Sequence, residues 1–151
     1  MEIYAQARQF MADHGNPLQW GATNWPPKEL ICRDIEEGCS YVCLQDGRIV
    51  GTFFYTWGAD PEPAYRTIVD GSWSSQEPHG VVHRIASDGT VKGTGSFCLN
   101  WAFSQCGSLR IDTHNDNHVM QNMLEKNGFR HCGTIYVEED DDPRMAYEKL
   151  R

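Results

Sequence analysis

The sequence has no apolar run near the roughly 20 residues that a membrane-spanning helix needs, so no membrane association through a helical span is expected. It has no Cys-x-x-Cys pair, although it holds six cysteines, at 32, 39, 43, 98, 106 and 132. A structural zinc site of the paired-cysteine type therefore lacks its signature. The opening residues, Met1 to Arg8, lack the basic-then-apolar layout of a signal peptide. A cytoplasmic protein with reduced, core-packed cysteines is the expectation that follows. Positive charge is in short supply. Thirteen Lys and Arg face 21 Asp and Glu, for a net charge of −8, which argues against a nucleic-acid partner. Repeats, low-complexity tracts and long linkers are absent as well, so a single domain over residues 1–151 is expected.

What is present is enough for a core: 40% of the 151 residues are hydrophobic, and a chain of this length buries about two thirds of its unfolded surface. Ile3, Ala7, Phe10 and Met11 recur at helical spacing, with Gly15 as a stop. Pro26-Pro27 opens a second predicted helix, with Leu30, Ile31 and Ile35 as its buried stripe and Gly38 at its end. The loop between them, 16–25, carries Trp20 and Trp25. A hairpin follows: 41–44 and 49–55 flank Asp46-Gly47, the favoured pair for a type I′ turn. Residues 58–78 are rich in Pro, Gly and Ser and give no clear pattern beyond a short helix or strand near 65–69. Val81 to Ala86 reads as a buried strand. A helix follows, with Phe97, Trp101, Ala102 and Gln105 on one face and Leu99 and Phe103 on another, so it is expected to be largely buried. Leu109–Asp112 is a short strand. Val119, Met120, Met123 and Leu124 form a helical stripe that Gly128 ends. Residues 133–137 and 145–150 close the chain as strands. This order predicts a mixed α/β sheet covered by helices. The acidic run Glu138 to Asp142 reads as a solvated turn.

One element carries chemistry. The buried strand runs into Thr90-Val91-Lys92-Gly93-Thr94-Gly95-Ser96 and then into a helix. A helix N-terminus offers unpaired N–H groups and a positive dipole end. Glycines let a phosphate approach the backbone closely. Gly-x-Gly alone is a weak signal, since it lacks the third glycine of a dinucleotide fingerprint and the Gly-Lys-Ser/Thr of a P-loop. Taken alone it reads first as a flexible strand-to-helix turn.

The stretch resembles the Gcn5-related N-acetyltransferase (GNAT) family, which carries Gln/Arg-x-x-Gly-x-Gly/Ala between its fourth strand and third helix. Here the match is Thr90 to Gly95, with Thr90 departing at the first position. Ile111 to Asn117, followed by Met120-Gln121-x-x-Leu124-x-Lys126-x-Gly128-Phe129-x-x-Cys132-Gly133, looks like a bacterial branch of the same family. The resemblance extends from about 81 to 137, and its strand order continues to the end. It implies a mixed, mostly antiparallel sheet of six to seven strands with splayed central strands, flanked by about four helices.

The resemblance also implies a function: transfer of an acetyl group from acetyl-CoA to an amine of a small molecule or peptide, by direct attack in a ternary complex. Acetyl-CoA is the cosubstrate and no metal is required. The pantetheine arm would pair with Ile85, Ala86 and Ser87. The diphosphate would meet amides from Val91, Lys92, Gly93, Thr94, Gly95 and Ser96. Asn117 matches a family asparagine that bonds the cofactor arm, and Lys126 completes the cofactor contacts. A homodimer is compatible with the family. The family's usual acid, a tyrosine, is replaced by Leu124. A non-catalytic acyl-CoA-binding or sensor module is the alternative that this departure leaves open.

Chemistry sets the remaining demands. An alkylammonium of pKa about 10.4 needs about 4.6 kcal/mol to lose its proton at pH 7, so a base lowers the barrier. His83 is the first candidate, because strand alternation sets it with Val81, Ile85 and Ser87 on one face and its pKa suits acid–base work. His114 is the second. A structural histidine is the competing reading for both. Asn117 joins them as a catalytic candidate. Tyr136 and Cys132 are weaker candidates for the acid. Glu62 and Asp60 are candidate amine anchors, and Trp20, Trp25, Trp57 and Trp73 are candidate pocket walls. The spacing Asp112-x-His114-x-Asp116-x-His118 can be drawn as a metal site, but strand alternation brings only part of that set together.

Overall fold

The computed structural model describes residues 2–13, 26–137 and 142–151. The two-tryptophan loop and the acidic residues 138–141 lie outside the described residues. Helix α1 (Glu2–Asp13) and α2 (Lys28–Glu36) precede the hairpin β1 (Ser40–Gln45) and β2 (Arg48–Gly58). A 3-10 turn (Pro63–Arg66) leads to β3 (His79–Ser87). Then come α3 (Thr94–Cys106), β4 (Ser108–His114), α4 (His118–Lys126), β5 (Arg130–Tyr136) and β6 (Pro143–Leu150). Among the described residues six strands form one sheet in the order β1-β2-β3-β4-β6-β5. Only β3 and β4 run parallel; the other neighbours are antiparallel. The architecture is thus the mixed, mostly antiparallel sheet with four helices that the sequence implied. What the family calls its fourth and fifth strands are β3 and β4 here.

The hairpin follows its turn chemistry. Asp46 and Gly47 both have positive φ, 52° and 77°, as a type I′ turn requires, and Gln45 faces Arg48 across it. One face of the sheet buries Phe53, Tyr55, Val82, Ile85 and Tyr147 against Cys98, Leu99 and Ala102 of α3 and Leu124 of α4. On the other face Val81, Ile135 and Ala146 pack under Tyr65 and Trp73, while Ala86 packs under Tyr4 and Met11 of α1. Val81 and Val82 serve opposite cores, which is the two-residue period of a strand covered on both sides.

Two amphipathic assignments shift. In α2 the buried residue is Asp34, and Ile35 is 61% exposed. The helix turns this way because Asp34 forms a 2.8 Å ion pair with Arg84 of β3, and a buried charge must meet its counter-charge. In α3 the inward face is Thr94, Cys98, Leu99 and Ala102. Of the expected Phe97–Trp101–Ala102–Gln105 face, Ala102 is buried and Trp101 packs on Tyr41, Phe53 and Tyr55 of the hairpin, while Phe97 is 65% exposed. Apolar residues fall all round this helix, so their period gives little to discriminate.

Candidate active site

The site begins where a ladder ends. β3 and β4 pair at only two positions, Gly80 with Leu109 and Val81 with Arg110. Beyond them the strands part, and a cleft of about 570 Å³ opens between Val82–Ile85 and Ile111–Asp112. The cause lies within β3. Thr52 faces Ala86 and Phe54 faces His83, so two steps along β2 match three along β3. This is a β-bulge, which bends its strand and adds twist. Arg84 carries it with φ of 54°, a conformation that costs a residue with a Cβ about 1–2 kcal/mol. Tyr4 donates a 3.1 Å bond to the Arg84 carbonyl, Asp34 holds its guanidinium, and the guanidinium lies 4.7 Å from the centre of the Phe54 ring. These contacts offset the strain.

The bulge overturns the expected alternation. Ile85 joins Val82 in the core beneath α3. His83 stacks on Phe54 and meets Tyr65 edge-on, on the opposite side. His83 and Ile85 therefore do not share a face, because the extra residue reverses the order between them. Strict two-residue periodicity fails at a bulge.

A second segment completes the cleft wall. Glu62 caps the 3-10 turn by accepting from the Ala64 amide, with Pro63 in the first position, where its missing N–H costs nothing. The other Glu62 carboxylate oxygen lies 2.7 Å from His83 Nε2. Burial works to raise the Glu62 pKa, but the His83 hydrogen bond and charge, with the Ala64 amide, outweigh it and hold the group below its ordinary value. One turn further on, Tyr65 donates a 2.6 Å bond to Asp112 of β4. The turn thus touches β3 through Glu62 and β4 through Tyr65, spanning the gap that their ladder leaves. It is fixed from behind. Val69 and Thr134 of β5 exchange both backbone bonds, at 2.9 and 2.8 Å, Ser72 donates to the Cys132 carbonyl, and Trp73 Nε1 donates to the Tyr65 carbonyl. A Cβ on Gly71 would collide with that Cys132 carbonyl oxygen, so only glycine allows so close an approach.

At the other end of β3 the chain turns through Asp88 to Gly93 into α3. Gly93 has φ of 84° and caps α3 without a side-chain bond. The leading amides of α3 have no partner within the helix. Thr94 is buried, with its hydroxyl donating to the Val91 carbonyl. Gly95 lies against Met123 of α4, where a Cβ would come within 2.8 Å of its sulfur. The Ser96 hydroxyl accepts from Asn127 Nδ2 at 2.9 Å. Lys92 is exposed. Ile85, Ala86 and Ser87 form the β3 segment beyond the last β4 pairing.

The other candidates fall elsewhere. Asn117 caps α4, accepting from the Met120 amide at 3.1 Å. Lys126 ends α4 on the surface. His114 is buried; Nδ1 accepts from the Asp116 amide at 3.0 Å, and Nε2 lies 3.2 Å from Asp142. Nδ1 thus orders the β4–α4 turn and Nε2 ties it to the residue before β6, away from the cleft lining. Asp112 turns to Tyr65, so the metal-like spacing 112–118 divides between two places. Tyr136 lines the cleft. Cys132 is buried beside Glu148, and burial raises its thiol to about 11. Asp60 pairs with Arg66. Leu124 is 0% exposed in the main core. The Glu62–His83 couple and the Tyr65–Asp112 bond went unread in the sequence. The signal that was available is Asp60-Pro61-Glu62-Pro63, an acidic cap just before a proline.

No protein-family profile and no curated protein sequence matches this chain. Solved structures do. A GNAT-family acetyltransferase from Streptococcus agalactiae is 29% identical, with a TM-score of 0.81 over 100% of this chain and 87% of that one. A ribosomal-protein-alanine N-acetyltransferase from Brucella melitensis shares the fold at 15% identity, with a TM-score of 0.60 over 98% and 96% of the two chains. So does a chain of the NatC complex bound to Gag peptide and CoA, at 13% identity and a TM-score of 0.61 over 99% and 91%. The chain belongs to the GNAT superfamily.

Proposed function

We propose that the protein transfers an acetyl group from acetyl-CoA to the amine of a small molecule or peptide. The observation that carries this reading is the parting of β3 and β4 after two paired positions, with the uncapped α3 N-terminus at one end and the Glu62–His83 couple inside. Membership of the superfamily and the CoA carried by the NatC relative support it.

In this reading Ile85, Ala86 and Ser87 offer backbone groups to the pantetheine arm, as an added strand would. The amides from Val91 to Ser96 receive the diphosphate at the positive end of α3. The thioester carbonyl would lie near the bulge, with backbone amides about Ile85 and Ala86 as the donors to the oxyanion. His83 accepts the proton of the attacking amine. Glu62, 2.7 Å away, orients the ring and stabilises the imidazolium as it forms. Leu124 leaves no acid at the family's usual position. A thiol of pKa near 8.5 departs tolerably without one, and the open cleft lets solvent protonate it. Asn117 and Lys126 contact the cofactor from α4.

Two measurements test this. Acetyl-CoA at about 100 times Kd stabilises a specific binder by about 2.7 kcal/mol, a melting shift of roughly 5–11 °C for this size. No shift with acetyl-CoA or longer acyl-CoAs would remove the cofactor assignment. A panel of amines and peptides, read by release of CoA thiol, then tests catalysis. Binding without turnover across the panel would leave a sensor module instead.

A further inference from the structure

Thr90 occupies a motif position from which no cation reaches the cofactor loop. Its surroundings replace one. The Thr90 hydroxyl accepts a 3.0 Å bond from Arg48 Nη2 and donates a 2.6 Å bond to Asp88 Oδ1. The Thr90 amide donates to the same Asp88 oxygen at 2.9 Å. Arg48 comes from 42 residues earlier in the chain, at the first position of β2. The type I′ turn fixes where it emerges, because a two-residue loop leaves no freedom in register. Its guanidinium is held by one of its several donors and stays open to solvent on the face of the loop 90–96.

The charge balance makes this position consequential. The protein carries −8, and a CoA molecule brings further negative charge in its diphosphate and its 3′-phosphate. Local cations must reverse that repulsion. Lys92 is one. We infer that Arg48 is another: a phosphate-binding residue that the β1–β2 hairpin lends to the cofactor loop, in place of a side chain at position 90. The inference rests on the acetyl-CoA reading given above. Thr90 and Asp88 serve as its tether. Asp88 already accepts two bonds from Thr90, and these, with Arg48 nearby, lower its pKa, so it remains a stable anion that keeps the guanidinium at the loop. A planar guanidinium presents paired donors that match a phosphate.

Calorimetric titration of the full chain with CoA and with dephospho-CoA tests the inference. Arg48→Ala should weaken CoA binding about 10-fold, the scale of one solvent-exposed charge-assisted contact. An equal loss with dephospho-CoA assigns Arg48 to the diphosphate; a loss with CoA alone assigns it to the 3′-phosphate. Arg48→Gln should behave alike, which guards against a folding defect in the alanine variant. The double variant Arg48→Ala/Thr90→Arg should regain most of the affinity, since it returns the cation from the loop itself. Arg33→Gln, an equal charge loss on α2, should leave binding unchanged. CoA binding by Arg48→Ala within about 2-fold of the parent would overturn the inference, as would an equal loss in Arg33→Gln. A parent protein that binds neither ligand would instead overturn the cofactor assignment itself, an outcome distinct from both.

Discussion

The C-terminal end and the centre of β3 are built on different principles. At its C-terminal end the candidate diphosphate loop is one continuous piece of chain, Asp88 to Ser96, and its chemistry is mostly backbone amides and a left-handed glycine. At its centre the candidate acceptor site is assembled from Glu62, Tyr65, His83 and Asp112, which lie on three separate segments. A continuous site survives side-chain variation as long as the backbone path is kept. A convergent site depends on every element that positions it.

The sharpest way to break the comparison is His83→Ala. Loss of a general base costs about 10²–10⁴ in rate. Steady-state kinetics should show kcat falling in that range, while acetyl-CoA affinity measured by titration stays near the parent value. A kcat within 2-fold of the parent removes His83 from the chemistry. Gly71→Ala attacks the same half through the backbone that positions it rather than by contact. Its new Cβ meets the Cys132 carbonyl, so the strand-like pairing with β5 must shift and carry Glu62 and Tyr65 with it. A displacement of about 1 Å costs on the order of 10²-fold in rate. Acetyl-CoA affinity should again hold, because the cofactor loop shares no backbone with this segment. A parallel loss of affinity and rate would mean that the two halves are one cooperative unit.

The same contrast explains what was legible. The loop 90–96 could be read because glycine spacing and a following helix are local facts. The Asp46-Gly47 hairpin was legible for the same reason, and so was the order of strands. The wall at 62–73 was opaque because its order comes from elsewhere: two backbone bonds to Thr134, a carbonyl of Cys132, and the Asp112 carboxylate. The bulge at Arg84 was opaque too. Nothing about an arginine announces a φ of 54°; its partners Asp34 and Tyr4 lie 50 and 80 residues away. Strand periodicity therefore sets the candidate His83 on a face with Ile85, where the bulge does not leave it. Ile35 and Phe97 break the apolar-inward rule because an Asp34–Arg84 pair and small side chains decide the facing.

Gly93→Ala sharpens the cofactor half. No atom blocks a Cβ there, so the cost is conformational alone, about 1–2 kcal/mol for a Cβ at a φ of 84°. If the loop keeps its path, that cost appears as a lower melting temperature with little change in CoA affinity. If the loop relaxes instead, stability is kept and affinity falls by roughly 5- to 30-fold, the equivalent of the same energy. Either result locates the strain; no effect on either quantity would show that the left-handed cap is dispensable.

The smallest expected effect is on the acid side of the stability curve. Glu62 has a folded-state pKa below its ordinary value. A depressed carboxylate binds fewer protons folded than unfolded, so its stabilisation is complete above the unfolded pKa of about 4.3 and disappears as pH falls through the lower, folded value. Glu62→Gln removes this proton linkage. The variant should melt below the parent at pH 6, by an amount under about 1 kcal/mol because the pair keeps solvent contact. The difference should shrink steadily as the pH is taken below 4. A gap that stays constant from pH 6 to pH 3 would mean that the loss comes from packing, and that neither the His83 pairing nor the Ala64 cap stabilises the fold through the Glu62 charge. In that case the couple is held together by the surrounding turn and strand alone, and its proximity is a property of the scaffold that the cleft can use for proton transfer.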